Sequence, residues 1–379
     1  SSTSTARGKL NRSLKRAAHA IGLGSLYDEL YFQYCLRSAS RAAGNVDSLR
    51  RFPTAERIVD RALSWLQGVD TRPFFLWLHL MDPHSPYYPT AASYRELTGK
   101  EISAKRARYL NEYWNRSDLT PARLERKKAS IVELYDAGIR GVDSQIARLV
   151  SHLQQSGRWD ECTFAFTADH GEEFLDHGRR YHAPVSLHEE VVRVPLMIRV
   201  PGVTGRESAK KEIAKKGPPP APFSHVHLAP TLLDLLGVPS PAGFQGTSLW
   251  RNLQAGTPWE IPAVTECVHG CTNPLPRQDR MGARLLSVRS GPYKLTLPME
   301  SDLLESNSIQ WSAIEKLYNL GEDPKEERPL PAGAHREIRG RLLRAARTQL
   351  RASSNGARAS LRLKARLRDL RVELQSKSR

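Results

Sequence analysis

Residues 135–173 read YDAGIRGVDSQIARLVSHLQQSGRWDECTFAFTADHGEE, and the order of patterns inside this stretch decides the fold. Val142, Ile146, Leu149 and Leu153 recur at three- and four-residue spacing, which places them on one face of a helix. The stripe continues upstream through Tyr135, Leu134 and Ile131 to Thr120-Pro121, where an N-capping hydroxyl and a first-turn proline start the helix. It stops near Gly157. After a short turn, residues 162–168, CTFAFTA, are apolar and aromatic enough for a strand buried on both faces.

Upstream, residues 74–80, FFLWLHL, predict a second buried strand of the same kind. A surface helix precedes it, with Pro53 at a first helical position, Ile58, Ala62, Trp65 and Leu66 on one face, and Gly68 at its end. Residues 99–130 are polar and charged, with no apolar face before Thr120-Pro121. Downstream, PLMIRV at 195–200 reads as a third strand. Strand, crossover helix and strand in this order argue for an α/β domain with a mostly parallel sheet flanked by helices. Residues 204–222 are Lys- and Pro-rich and read as a loop, and a short helix at 228–236 is stopped by Gly237. PAVTE, RLLSVRS and YKLTL then read as a smaller antiparallel sheet in an α+β subdomain. The last 45 residues are helical in pattern, with Leu343, Ala346 and Leu350, then Leu363, Leu367, Leu370 and Leu374 on one face. The expected division is a basic segment at 1–51, a catalytic domain at 52–255, a subdomain at 256–334 and a basic helical tail at 335–379.

A chain of 379 residues with 40% hydrophobic content can bury a sizeable core and is not a disordered tail. Four cysteines exclude a disulfide scaffold, and the longest apolar stretch, at 74–81, is far below the roughly 20 residues a membrane helix needs. No export signal can be read before Leu10. The net charge is +17, but residues 335–379 carry 14 Lys+Arg against 3 Asp+Glu, and residues 1–51 carry 9 against 3. The stretch from 52 to 334 is therefore electrically balanced. No aromatic residue lies within 335–379 to stack on bases, which argues against nucleic acid as the partner and for a leucine stripe packed on the body with arginines displayed to water. A membrane surface stays open as a partner of the tail.

Three constellations could carry chemistry. In MDPHSPYYP, at 81–89, Asp82 and His84 are held by three prolines just past a predicted strand, where open sheets place ligands; alternatively, Asp82 caps backbone amides in a stiff turn. In TADHGEEFLDHG, at 167–178, adjacent Asp169 and His170 offer a hard oxygen and an imidazole to a metal, with Gly171 turning the backbone beside it; Asp-x-Gly is also ordinary turn chemistry. In the loop from 179, His182 could protonate a leaving group, with His177 and His188 competing for that role and a solvated surface histidine as the plain alternative. Cys267 and Cys271, with His269 between them, leave both a metal knuckle and a small loop disulfide open, and Cys162 reads as a core residue.

Taken together, the DPHSPY loop, the long helix running into TADHGEE, RVPLMIRVPG, HLAPTLLDLLGVP with FQGTSL, and the late YKL and KLYNLGEDPKEE closely resemble the sulfatase family of the alkaline-phosphatase superfamily. These blocks stand in the family's order from about residue 55 to 330. The resemblance implies an alkaline-phosphatase-like fold and metal-dependent hydrolysis of an anionic sulfate or phosphate ester. It also implies that Asp169 and His170 are metal ligands, that His84 contacts the sulfate or phosphate group, and that His182 sits near a substrate-contacting Lys or His position. Calcium is the metal it implies; an imidazole in place of the more usual Asn makes manganese or zinc admissible. An extracytoplasmic or periplasmic setting is favoured by the family.

Two family blocks are not in the sequence: a strand ending in paired aspartates, and the C/S-x-P-S-R motif whose Cys or Ser becomes the formylglycine nucleophile. The expectation is an N-terminally incomplete sulfuric ester hydrolase, inactive as these 379 residues alone, with formylglycine in the missing part. A pseudoenzyme, a basic-tail binding protein, and a phosphonate or phosphodiester hydrolase or phosphoethanolamine transferase of the same superfamily are the alternatives.

Overall fold

The computed structural model of the chain describes residues 46–69, 72–182, 186–202, 221–268, 284–299 and 315–349, with isolated positions between 14 and 31. It divides into two compact units, one of residues Ser1–Cys162 and Phe174–Arg179, the other of Thr163–Glu173 and Arg180–Arg379. Among the described residues, no helix is long and apolar enough to cross a membrane.

Among the described residues, the first unit contains the helices α1 (Ala55–Gln67), α2 (Ala91–Thr98), α3 (Ala104–Trp114) and α4 (Pro121–Gln155). Thr54, Thr90 and Ser103 each accept a hydrogen bond from the backbone N–H three residues on, which satisfies an otherwise orphaned donor at the starts of α1, α2 and α3. Val59 and Leu66 of α1 pack on Leu149 and Leu153 of α4. The buried face of α1 is Ala55, Val59, Ala62 and Leu66, with Trp65 exposed, so the expected stripe is rotated by about one residue. The stretch before Thr120 does carry an apolar face: α3 buries Ala107, Leu110, Tyr113 and Trp114. Those residues were hidden among Arg and Lys whose charged ends reach water.

The strand expected at residues 74–80 requires correction. Phe74, Leu76 and Leu78 pack on the α1–α4 cluster, while Phe75 and Trp77 are 82% and 79% exposed, so the segment is extended with one packed face and belongs to no assigned strand. Apolar content at every position does not reveal whether both faces have neighbours; only the tertiary surroundings do.

In the second unit, β1 (Phe164–Thr167) lies antiparallel to β4 (Leu196–Arg199), with Phe164 opposite Arg199 and Thr167 opposite Leu196. The expected parallel pairing is therefore not what these strands form. Between them the described elements are β2 (Glu173–Phe174), β3 (Arg180–Tyr181) and the single turn α5 (Glu189–Val192). None is the crossover helix that a parallel return uses.

The helices α6 (Leu228–Leu235) and α7 (Trp250–Ala255) lead to an antiparallel sheet in the order β5 (Ala263–Val268), β6 (Arg284–Ser290), β7 (Tyr293–Met299) and β8 (Lys316–Asn319). This is the antiparallel arrangement expected from PAVTE, RLLSVRS and YKLTL. Leu286, Val288, Leu295, Leu297 and Leu317 form its core with Leu342 and Ala346 from helical residues 336–349. Of the loop expected over residues 204–222, all but residues 221 and 222 lie outside the described residues, as do His269 and Cys271 beside Cys267 and the leucine stripe from Leu350 onward.

Candidate functional site

The Asp169–His170 pair sits just past β1 in the second unit. The Thr167 hydroxyl donates to the Pro195 carbonyl at 2.9 Å and lies 2.9 Å from His225 Nε2, which ties the end of β1 to the start of β4. Asp169 Oδ1 accepts the His170 backbone N–H at 3.0 Å. His170 Nδ1 and the Gly171 carbonyl oxygen are 2.8 Å apart, so Nδ1–H donates to that carbonyl and Nε2 is the ring nitrogen left for an ion. That Nε2 is 3.7 Å from Asp169 Oδ2. Two donors each roughly 2.0–2.5 Å from a common ion stand about 3–4 Å apart, so this oxygen and nitrogen fit one divalent cation.

Gly171 is required for a reason other than a left-handed backbone. Its N–H donates to the Val191 carbonyl at 2.7 Å, and an added Cβ would stand 2.1 Å from the Glu190 carbonyl oxygen. The loop lies directly on the α5 turn.

His182 joins the pair. Its ring centroid is 3.9 Å from that of His170, and its Nδ1 is 3.3 Å from Oε1 of the buried Glu172. The hydrogen bond to Glu172 pushes the His182 pKa up, against the opposing effect of burial, so the environment favours the proton-carrying form. His188, one of its two competitors, instead sits at the entrance to α5 with Nδ1 3.2 Å from Ser186 Oγ. A cleft of about 1380 Å³ in this unit is lined by Asp169, His170, His182, Arg193, Trp250 and Trp259, among others.

His84 belongs to the first unit and is described there. Of the two readings for Asp82, the cap is the one observed: Oδ2 accepts the Ala55 N–H at the start of α1 at 3.0 Å, and Oδ1 pairs with the buried guanidinium of Arg50, which also reaches the Tyr88 carbonyl. Two residues on, His84 is exposed, with Nδ1 2.6 Å from the Ser85 carbonyl. The far side of the loop is bracketed by Asn111 of α3, which accepts the Tyr87 N–H at 2.6 Å and donates to the Tyr87 carbonyl at 2.9 Å. Arg50, Asn111 and Glu172 carry no signal in the sequence, because each acts on a partner 10 to 32 residues away. The structure thus brings Asp169, His170 and His182 together in one unit and holds His84 in a braced loop of the other.

The Sulfatase family model matches residues 18–238. Among curated proteins, the chain is 25% identical over 230 residues to the multifunctional alkaline phosphatase superfamily protein PehA of Trinickia caryophylli, covering 55% of this chain and 43% of that protein. It is 24% identical over 297 residues to arylsulfatase K of Bos taurus, covering 70% and 50%. The chain thus spans about half the length of these relatives. Among solved structures, one described as bound to its substrate D-glucosamine-2-N,6-O-disulfate superposes with a TM-score of 0.58 at 20% identity, over 81% of this chain and 71% of the other. The phosphonate monoester hydrolase of Agrobacterium radiobacter superposes with a TM-score of 0.53 at 20% identity, over 79% and 60%. These likenesses place the fold.

Proposed function

The chain belongs to the sulfatase family, a family of sulfuric ester hydrolases, and on that premise we propose that its own residues supply the cation-holding, anion-holding and proton-donating parts of ester hydrolysis. The observation that carries this reading is the convergence of Asp169 Oδ2, His170 Nε2 and the His182 ring at one loop. Asp169 and His170 hold a divalent cation, which when bound offsets the negative charge of a sulfate ester. Calcium suits the hard carboxylate oxygen, and the imidazole nitrogen admits manganese or zinc. His170 is held in the required tautomer by its own loop carbonyl. His182, oriented by Glu172, keeps a proton for the leaving oxygen. His84, fixed between prolines with its Nδ1 at the Ser85 carbonyl, contacts an oxygen of the anion through Nε2.

The C/S-x-P-S-R block is not among these 379 residues, so the chain accounts for binding and protonation and not for the nucleophile. Phosphonate or phosphodiester chemistry of the same superfamily is the second reading, supported by the likeness in fold to the phosphonate monoester hydrolase of Agrobacterium radiobacter. The test is equilibrium binding of 4-nitrophenyl sulfate and of a phenylphosphonate monoester to residues 1–379 in the presence of calcium or manganese. The sulfate ester is expected to bind without turnover, and His84→Ala is expected to weaken it roughly ten- to a hundredfold, the cost of one charge-assisted hydrogen bond. Steady turnover by wild type that disappears in Asp169→Ala would contradict the absence of a nucleophile, and tighter binding of the phosphonate would favour the second reading.

A further inference from the structure

A lysine lies where few are found, buried to 0% exposure at the second residue of β7. Lys294 Nζ is 3.1 Å from Glu189 Oε1 and 2.9 Å from Glu326 Oε1. Arg289 of β6 takes the other oxygen of Glu189 at 2.6 Å, and the Glu189 backbone N–H donates to Glu326 Oε2 at 2.6 Å. Glu326 is a non-glycine residue in the left-handed region, at φ 54°, in the turn after β8, where Asp323 braces the backbone by accepting the N–H groups of Glu327 and Arg328. A strained conformation of this kind persists only where its surroundings fix it. Two cations, Lys294 and Arg289, and one further carboxylate, Glu326, therefore converge on Glu189, the first residue of α5.

The α5 turn is also the surface on which the Asp169–His170 loop closes. Gly171 donates to Val191 and abuts the Glu190 carbonyl, and Thr167 donates to Pro195 just beyond the turn. We propose that Lys294 is a positioning residue: by clamping Glu189 and Glu326 it fixes the α5 turn, and through Gly171 it sets where the Asp169–His170 pair stands. The effect on the loop stands on this geometry alone; the effect on a bound cation rests on the reading of that pair given above. A buried ion pair contributes little net stability against an apolar substitute but enforces one arrangement, which is the role the clamp requires.

The experiment compares wild type, Lys294→Met and Lys294→Arg as full chains. Hydrogen exchange is followed by mass spectrometry, and manganese affinity by calorimetry. In Lys294→Met, peptides containing Gly171 and residues 191–193 are expected to exchange roughly tenfold faster, while those from α4 and β5 keep their rates. Lys294→Arg, which keeps the cation, is expected to restore slow exchange. Manganese should bind roughly tenfold more weakly to the methionine variant and near normally to the arginine variant. Unchanged exchange at Gly171 in folded Lys294→Met would overturn the proposal, as would uniform acceleration of every peptide, which signals lost stability alone. Should Lys294→Met not fold, Glu189→Gln provides the same comparison. If wild type binds no manganese in an Asp169-dependent manner, the cation reading falls, and exchange at Gly171 still decides the clamp.

Discussion

An added methyl at Gly171 would stand 2.1 Å from the Glu190 carbonyl oxygen, well inside van der Waals contact, and that oxygen is backbone, which cannot swing away as a side chain could. Gly171→Ala must therefore push the loop off α5 and stretch the hydrogen bond to Val191. We expect a loss of roughly 1–3 kcal/mol, the usual cost of overpacking, read from the urea midpoint of unfolding. A change within the error of the midpoint would mean that the close approach is not real. At this scale the sequence was informative about identity and less so about cause. Asp169 and His170 were visible as a carboxylate beside an imidazole, yet the reason for the glycine after them was expected to be a sharp turn and is crowding. Glu172, which orients His182, could not be singled out from the neighbouring Glu173, because which of two adjacent carboxylates meets a histidine depends on how the loop returns.

Between elements, Asp82 joins the His84 loop to the first turn of α1. It accepts the Ala55 N–H and pairs with Arg50, whose side chain is only 8% exposed. Asp82→Ala would orphan the helix donor and leave a buried guanidinium without its carboxylate. The expected loss is about 2–4 kcal/mol, with Asp82→Asn in between because it can still accept from Ala55. Guanidinium chloride unfolding of the three proteins checks this, and equal midpoints would overturn the cap. Elements with strong local periodicity were legible: α4 runs Pro121–Gln155 as its stripe predicts, and β1 follows it. Strand pairing was not. The side chains of residues 74–80 do not state that Phe75 and Trp77 are exposed, and those of β1 and β4 do not state that they run antiparallel. Both are properties of what lies across from a segment, and α3 was missed for the related reason that long cationic side chains surround its buried Leu110 and Trp114.

For the whole molecule, the +17 net charge is concentrated at the two ends around a balanced middle, and each candidate site residue lies in that middle. Family membership was readable from the order of several short blocks, none decisive by itself, and the match over residues 18–238 agrees with that reading. On the function proposed above, Asp169 and His170 form a cation site beside His182. The most direct measurement is paramagnetic broadening of histidine ring resonances as manganese is added to isotope-labelled 1–379, in wild type and in Asp169→Ala. His170 and His182 are expected to broaden first, ahead of His335, which packs on Tyr293, and Asp169→Ala is expected to abolish this order. Equal broadening of all histidines, or an order unchanged in Asp169→Ala, would contradict it.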